Sequence, residues 1–145
     1  MYQAGGVPDP DTGSGYTNYF VPISKLADQC IDYYQPQAYN NWYEFPAGSV
    51  EYLKDVYLNW RNLQGMTPWG SKPIPNWNGI AGSKIVMGIP ASTSAAGASY
   101  YYTPAVISAF KSWLDANKYP MAGFMTWDSH WDALKNNEVT KASRP

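Results

Sequence analysis

The sequence predicts an α/β fold in which parallel strands alternate with helices. Three short apolar or aromatic segments, Asp32–Asn40, Lys84–Pro90 and Gly123–Trp127, have the length and composition of buried strands. Amphipathic stretches at helical spacing lie between and after them. Strands that alternate with helices are typically parallel and joined by right-handed crossovers, so we expect the three strands to lie side by side in sequence order.

The composition argues against several classes of partner. Charged residues make up 14% of the 145 residues and the net charge is −1, so no basic patch favours nucleic acid. No apolar run is long enough to span a membrane, and the N-terminus lacks the features of a signal peptide. The 7 Trp and 13 Tyr suit either stacking on carbohydrate or an aromatic-rich core, and composition alone does not separate the two.

The first predicted strand is preceded by a loop and a helix. Met1–Ser14 is interrupted by Gly and Pro and is predicted to be a loop, and a helix follows over about Phe20–Gln29. In the strand Asp32–Asn40, Pro36 removes one ladder hydrogen bond. Alternation along this strand places four side chains on one face: Tyr33, Gln35, Gln37 and Tyr39.

The clearest helix lies between the first two strands. Ser49 can cap its N-terminus, an apolar stripe follows one face, and Gly65 ends it. The segment Met66–Ser83 then contains Pro, Gly, Trp and Asn without any period, which is typical of a functional lid or rim. The strand Lys84–Pro90 comes next.

Two further helices are predicted after the second strand. The loop Ala91–Tyr102 ends in three tyrosines. Thr103 and Pro104 then suit the N-cap and the first position of a helix that runs to about Asn117. After the strand Gly123–Trp127, a last helix is expected from about Asp132.

The third strand changes from apolar to polar within a few residues. Gly123, Met125 and Trp127 share one of its faces, with Trp127 at the C-terminal end. The Trp127 indole suits the floor of a sugar site or, alternatively, an ordinary core position. Asp128 and Asp132 follow it and can be interpreted as an acid pair, or Asp132 as the start of a helix.

In order and spacing, the three strand segments resemble the sixth, seventh and eighth strands of chitinases of glycoside hydrolase family 18. The matching motifs are DYYQPQAYN at Asp32–Asn40, VMGIPAS at Val86–Ser92 and GFMTW at Gly123–Trp127, with Trp131 and Asp132 after the last. The Tyr-Asn pair that ends the first motif, Tyr39 and Asn40, is similar to the bacterial-type branch. The resemblance implies that residues 1–145 form the C-terminal portion, about strands six to eight with their helices, of one (β/α)8 TIM barrel whose first half is absent from this chain.

The resemblance also implies a site for N-acetylglucosamine residues. Tyr39 matches the Tyr whose hydroxyl holds the acetamido group of the substrate. Trp127 matches the Trp beneath the sugar at the scissile position. Four further positions match residues around the same pocket or its polar strand: Gln37, Asn40, Met87 and Met125.

The proton donor of the family has no counterpart in this chain. The Asp-x-x-Asp-x-Asp-x-Glu signature, which ends in the general acid on the fourth strand, is not found. The resemblance therefore implies a chitinase fragment that is inactive by itself, from a secreted full-length protein that hydrolyses chitin by substrate-assisted retaining catalysis. A companion N-terminal barrel fragment is one expected partner. The alternatives are a chitinase-like lectin without the acid and a stand-alone α/β domain that stacks another ligand on its aromatics.

Neither a cofactor nor a metal is expected. His130 is the only histidine and Cys30 the only cysteine, and the carboxylates do not cluster in the sequence. The resemblance implies chitin or a chito-oligosaccharide as the ligand, and neither nucleic acid nor a membrane is an expected partner.

Overall fold

Strands and helices follow one another along the described part of the chain. A computed structural model describes residues 7–8, 16–17, 27–40, 45–62 and 80–144. The strands are β1 (Val7–Pro8), β2 (Tyr16–Thr17), β3 (Val86–Pro90) and β4 (Gly123–Trp127). The α-helices are α1 (Val50–Asn62), α2 (Pro104–Ala116), α3 (Ser129–Ala133) and α4 (Glu138–Ser143). Single turns of 3₁₀ helix lie at Asp28–Cys30, Gly82–Lys84 and Ala98–Tyr100.

The N-terminal region differs from the predicted loop. Val7 pairs with Thr17 and Pro8 with Tyr16 in an antiparallel ladder between β1 and β2. Strands of two residues carry no periodic signal in the sequence, which is why this pairing was not predicted. Most of the predicted helix Phe20–Gln29 lies outside the described residues, and its described end begins a 3₁₀ turn.

The three predicted strand segments lie side by side and parallel. β3 and β4 are parallel in a register that runs from Val86↔Gly123 to Pro90↔Trp127. The segment Asp32–Asn40 joins the other edge of β3 through parallel bridges from Tyr34 to Ile85 and from Gln37 to Gly88. The predicted order and direction of the three segments are therefore confirmed.

Pro36 explains why the first segment forms two isolated bridges and not a continuous strand. The Tyr34 N–H donates to the Lys84 carbonyl at 2.8 Å, and the Ala38 N–H donates to the Gly88 carbonyl at 2.8 Å. The donor between these two would be residue 36, and proline has no N–H. The ladder is thus interrupted at one rung while the register is kept.

The helices α1 and α2 cover one face of these strands. Phe124 of β4 makes an edge-to-face contact with Phe110 of α2, with ring centroids 6.1 Å apart. Fully buried side chains from α1, α2 and the strand segments form the core: Tyr52, Leu53, Val56, Tyr57, Ile85, Met87, Ile89, Ile107 and Phe110. We call this the helix face of the strands and the opposite one the inner face.

The two long helices begin where their capping residues predict. The Ser49 hydroxyl accepts from the Tyr52 N–H at 3.1 Å, and the Thr103 hydroxyl accepts from the Val106 N–H at 3.3 Å. Pro104 occupies the first turn of α2, where a missing N–H costs nothing. The predicted end of the first helix at Gly65 lies outside the described residues, as does most of the segment Met66–Ser83.

The C-terminal region contains two short helices, not the single helix predicted from about Asp132. Asp128 caps α3, because its carboxylate accepts from the Trp131 N–H at 3.2 Å. Asp132 lies inside α3 and is 1% exposed. Its two carboxylate oxygens accept from the Val139 and Thr140 N–H groups of α4, each at 3.1 Å. Asn136 and Asn137 lie between the two helices and have positive φ, so the right-handed helical path is interrupted before α4 begins.

Replacing Asp132 should destabilise the fold more than replacing Asp128. Asp132→Ala leaves two N–H groups of α4 without their acceptor and is expected to cost about 3 kcal/mol of unfolding free energy. Asp132→Asn keeps one acceptor oxygen and should cost about half as much. Asp128→Ala removes one partly buried cap with a single N–H partner and should cost about 1 kcal/mol. Denaturant unfolding measures all three, and equal losses for Asp128→Ala and Asp132→Ala would contradict this assignment.

Candidate functional site

The inner face carries most of the side chains that the sequence predicts for a ligand site. Residues in register on parallel strands point to the same face. Gln37, Gly88 and Met125 therefore form one row across the inner face. Pro90 and Trp127 form the next row towards the C-terminal ends of the strands. Tyr39 lies two residues beyond Gln37 and so belongs to that second row.

Gly88 leaves room for Met125 to cross the sheet. A Cβ at Gly88 would lie 3.0 Å from the Met125 Cε atom and 3.1 Å from the Pro36 carbonyl oxygen. The end of the Met125 side chain thus lies over Gly88, in the space next to the position that a Cβ atom would take there. This packing brings the Met125 thioether towards the strand that carries Gln37.

The Trp127 indole is an open aromatic surface at the C-terminal end of this face. Trp127 is 49% exposed, although it ends a strand whose backbone is held by β3. The Ala91 N–H donates to the Trp127 carbonyl at 2.7 Å, which fixes the strand end, and the Trp127–Asp128 peptide bond is cis. In this chain Trp127 is therefore not enclosed as a core aromatic would be.

Tyr39 and Asn40 end the first strand segment in different environments. Tyr39 is 3% exposed, so its ring is held by its surroundings. Asn40 is exposed and adopts φ 54°, a left-handed conformation that Asn tolerates. Its side-chain oxygen accepts a hydrogen bond from the Gly97 N–H at 3.0 Å. The described contact of Asn40 is therefore with the loop that follows β3.

Met87 is the predicted site residue that the structure separates from the others. Met87 is in register with Phe124, whose ring contacts α2 on the helix face. It is fully buried within the core. Since alternate residues of a strand point to opposite faces, Met87 points away from Gln37 and Met125. The expectation that Met87 binds substrate is corrected accordingly, and Met87 is a core residue.

Sequence reasoning did not single out Tyr102, which contacts the same strand end. Tyr102 is fully buried, and its hydroxyl donates to the Ala38 carbonyl, directly before Tyr39. Burial, with a smaller contribution from nearby Tyr52 and Tyr100, raises the pKa of Tyr102 far above its usual value, so the hydroxyl keeps its proton. The run of three tyrosines was visible in the sequence, but their partners were not.

The chain is similar to known chitinases in sequence and in structure. It is 28% identical over 132 residues to a chitinase of Enterococcus faecalis, across 83% of this chain and 34% of that protein. The crystal structure named as chitinase A of Streptomyces coelicolor matches 86% of this chain and 43% of its own, with a TM-score of 0.65 and 25% identity. A family 18 glycoside hydrolase, a chitinase of Pseudoalteromonas aurantia, matches 85% of this chain and 40% of its own, with a TM-score of 0.53 and 23% identity.

These similarities support a likeness between this chain and the C-terminal part of the family 18 chitinases. No protein-family model matches it. It spans about a third of the length of the Enterococcus relative, 34%. The solved chitinases have the TIM-barrel fold, and the parallel strand segments and covering helices described above are consistent with that fold.

Several carboxylates in the described part of the chain make structural contacts. Asp128 and Asp132 each accept backbone N–H groups at helix starts, so they do not form the acid pair considered from the sequence. Glu138 accepts from the Tyr101 hydroxyl at 2.6 Å. Burial, followed by the contact with Glu138, raises the pKa of Tyr101 well above its usual range. On α1, the Glu51 Oε1 atom lies 3.7 Å from the Lys54 Nζ atom, in an ion pair.

The residues that follow Trp127 do not form a metal centre. The ring of His130 contacts that of Trp131 edge to face, with centroids 5.3 Å apart. Within the described ranges, no group of three or more His, Cys, Asp or Glu side chains is placed to hold a metal ion. The helices of those same ranges are all too short or too polar to cross a membrane.

Adding a methyl group at Gly88 should disturb the inner face through Met125. The new Cβ would meet the Met125 Cε atom and the Pro36 carbonyl oxygen, so Gly88→Ala should cost about 1–3 kcal/mol of unfolding free energy. The combination with Met125→Ala removes the first of these contacts. We expect the double variant to be more stable than the sum of the two single losses by about 1 kcal/mol in a thermal or denaturant cycle. Strict additivity would mean that Met125 does not lie over Gly88.

Proposed function

We propose that this chain supplies the substrate-positioning part of a chitinase. The full-length protein hydrolyses β-1,4 bonds between N-acetylglucosamine units of chitin or chito-oligosaccharides. The observation that carries the proposal is the half-exposed Trp127 indole at the C-terminal end of a parallel strand, in the row to which Tyr39 belongs. Ligand sites of barrel enzymes lie at that end of their strands, and the chitinase relatives support the substrate class.

The proposed reaction uses the acetamido group of the substrate in place of an enzyme nucleophile. The acetamido oxygen bonds to the anomeric carbon while the glycosidic C–O bond breaks and the leaving oxygen takes a proton from a carboxylic acid. Water then opens the cyclic intermediate with retention of configuration. Tyr39 orients the acetamido group, and Trp127 stacks beneath the sugar ring. Gln37 and Met125 line the same face.

Burial of Tyr39 supports a positioning role. A residue that orients a reacting group must itself be held within a fraction of an ångström of the productive geometry. The ring of Tyr39, at 3% exposure, has little freedom to move. Trp127, in contrast, offers its surface to a ligand, which suits stacking on the apolar side of a sugar.

The proton donor is proposed to come from a part of the full-length protein outside this chain. The described carboxylates nearest to Trp127 accept backbone hydrogen bonds, and none of the Glu residues in the sequence ends the expected signature. A chitin-degrading enzyme acts on an insoluble external polymer, so we infer that the full-length protein is secreted. A companion N-terminal fragment of the barrel would be its partner if the protein is cleaved.

A chitin-binding protein without activity is the second candidate function. The open Trp127 indole would serve a lectin as well as an enzyme, because stacking requires no acid. The two functions differ at the residue that ends the fourth strand of the full-length barrel. A Glu there favours the enzyme, and its replacement favours the lectin.

Removing the Tyr39 hydroxyl should affect turnover more than substrate affinity. In the full-length protein, we expect Tyr39→Phe to lower kcat at least about tenfold with KM changed less than about threefold, because the hydroxyl acts chiefly as the transition state forms. Trp127→Ala should lower kcat and raise KM together. Steady-state kinetics on a chromogenic chitotrioside measures both. A large rise in KM at constant kcat for Tyr39→Phe would reduce Tyr39 to a binding residue.

The purified 145-residue chain should not hydrolyse chitotriose derivatives above background. No carboxylic acid of this chain is proposed to reach the leaving oxygen, and substrate assistance still requires that proton. Clear turnover would refute the assignment of the acid, and Asp128 would then be the first residue to replace. Cellotriose, which lacks acetamido groups, is the control ligand for a parallel binding titration followed by tryptophan fluorescence. Equal affinity for both sugars would argue against the acetamido site.

A further inference from the structure

The backbone just before Tyr39 is held by a side chain where the strand ladder lacks a donor. The Gly88 N–H donates to the Pro36 carbonyl, and the Ala38 N–H donates to the Gly88 carbonyl, each at 2.8 Å. In a parallel ladder the next N–H along β3 would donate to the Ala38 carbonyl. That residue is Pro90, which has no N–H. The Tyr102 hydroxyl donates to the Ala38 carbonyl instead.

The backbone just after Tyr39 is held by the same loop. The Asn40 side-chain oxygen accepts from the Gly97 N–H at 3.0 Å. Gly97 and Tyr102 both lie in the second half of the segment, residues 91–103, that leads from β3 into α2. Tyr39 therefore lies between two hydrogen bonds, one on each side along the chain, that both come from the segment Gly97–Tyr102.

The segment Gly97–Tyr102 is itself fixed to its surroundings. The Tyr100 and Tyr102 rings contact the ring of Tyr52 on α1, with centroids 5.7 Å and 6.3 Å apart. The Tyr101 hydroxyl donates to Glu138 of α4 at 2.6 Å. These contacts tie the segment to two helices, α1 and α4.

We propose that Asn40 and Tyr102 are positioning residues that hold Tyr39 from either side, and that Asn40 acts through its side-chain oxygen and not by contacting the sugar. The inference rests on the proposed function, in which Tyr39 orients the acetamido group. It replaces the substrate-binding role that the resemblance implied for Asn40, and it gives Tyr102 a role in catalysis through Tyr39.

Paired substitutions at Asn40 separate positioning from sugar contact. Asn40→Gly tolerates the positive φ but removes the acceptor, whereas Asn40→Asp tolerates it and keeps an acceptor oxygen while losing the amide donor. In the full-length protein we expect Asn40→Gly to lower kcat roughly threefold to tenfold at nearly constant KM. Asn40→Asp should retain kcat within about twofold. Equal losses for both variants would overturn the proposal, because they would assign the effect to the amide donor.

Tyr102→Phe tests the other hydrogen bond while it keeps the ring against Tyr52. We expect a loss of kcat of the same size as for Asn40→Gly, again roughly threefold to tenfold. In the Tyr39→Phe background, either substitution should change kcat less than about twofold, since the group that they position is absent. Losses that multiply in full in that background would show a general structural effect and overturn the proposal.

A spectroscopic measurement separates this inference from the proposed function. 3-Fluorotyrosine at position 39 reports the ring environment by ¹⁹F NMR without any substrate. Asn40→Gly and Tyr102→Phe should shift or broaden this signal, and Asn40→Asp should leave it unchanged. A displaced signal together with normal kcat in Tyr39→Phe would support positioning and refute the catalytic role of Tyr39. An unchanged signal in Asn40→Gly and Tyr102→Phe would refute positioning, whatever the activity.

Discussion

The parallel register between β3 and β4 fixes which side chains can act together. Because side chains alternate along a strand, a shift by one residue would turn Met125 and Trp127 towards the helices and bring Phe124 to the inner face. Phe124 prevents that shift, since its ring packs against Phe110 of α2. The apolar contact on the helix face thus determines the position of the polar and aromatic residues on the inner face. Stability and site geometry depend on the same register.

Local sequence signals predicted where the two long helices begin. They did not predict contacts between residues that are far apart in the sequence. Ser49 and Thr103 cap helices through bonds to N–H groups three residues away, so the sequence contains the whole interaction. Asp132 could not be assigned in this way, because its partners lie 7 and 8 residues further on, in a second helix. Met87 is a different case. Alternation alone would have put Met87 on the face of β3 that Gly88 does not share. The resemblance instead assigned Met87 to the pocket, and its register with Phe124 corrects this assignment.

The candidate site was predictable as a set of residue types and not as a set of contacts. Gln37, Tyr39 and Trp127 could be assigned to one face from the sequence because they lie in strand segments with recognisable motifs. The partners of Asn40 and Tyr102 lie 57 and 64 residues away along the chain, and no pattern in the sequence links them. The crossing of Met125 over Gly88 likewise depends on the absence of a side chain on a neighbouring strand. Such contacts follow from packing, which the sequence specifies only through the completed fold.

Because Pro90 has no N–H, one hydrogen bond of the sheet is made by a side chain and not by the backbone. A backbone N–H is present at every residue except proline, so an ordinary rung does not change when a side chain is replaced. At Ala38 the donor is the Tyr102 hydroxyl, which a single substitution can remove while the rest of the ladder stays intact. The end of the first strand segment can therefore be loosened or tightened by the choice of residue in a loop. Variation among related chains at this loop position would tune the precision of the neighbouring site without altering the strands that carry it.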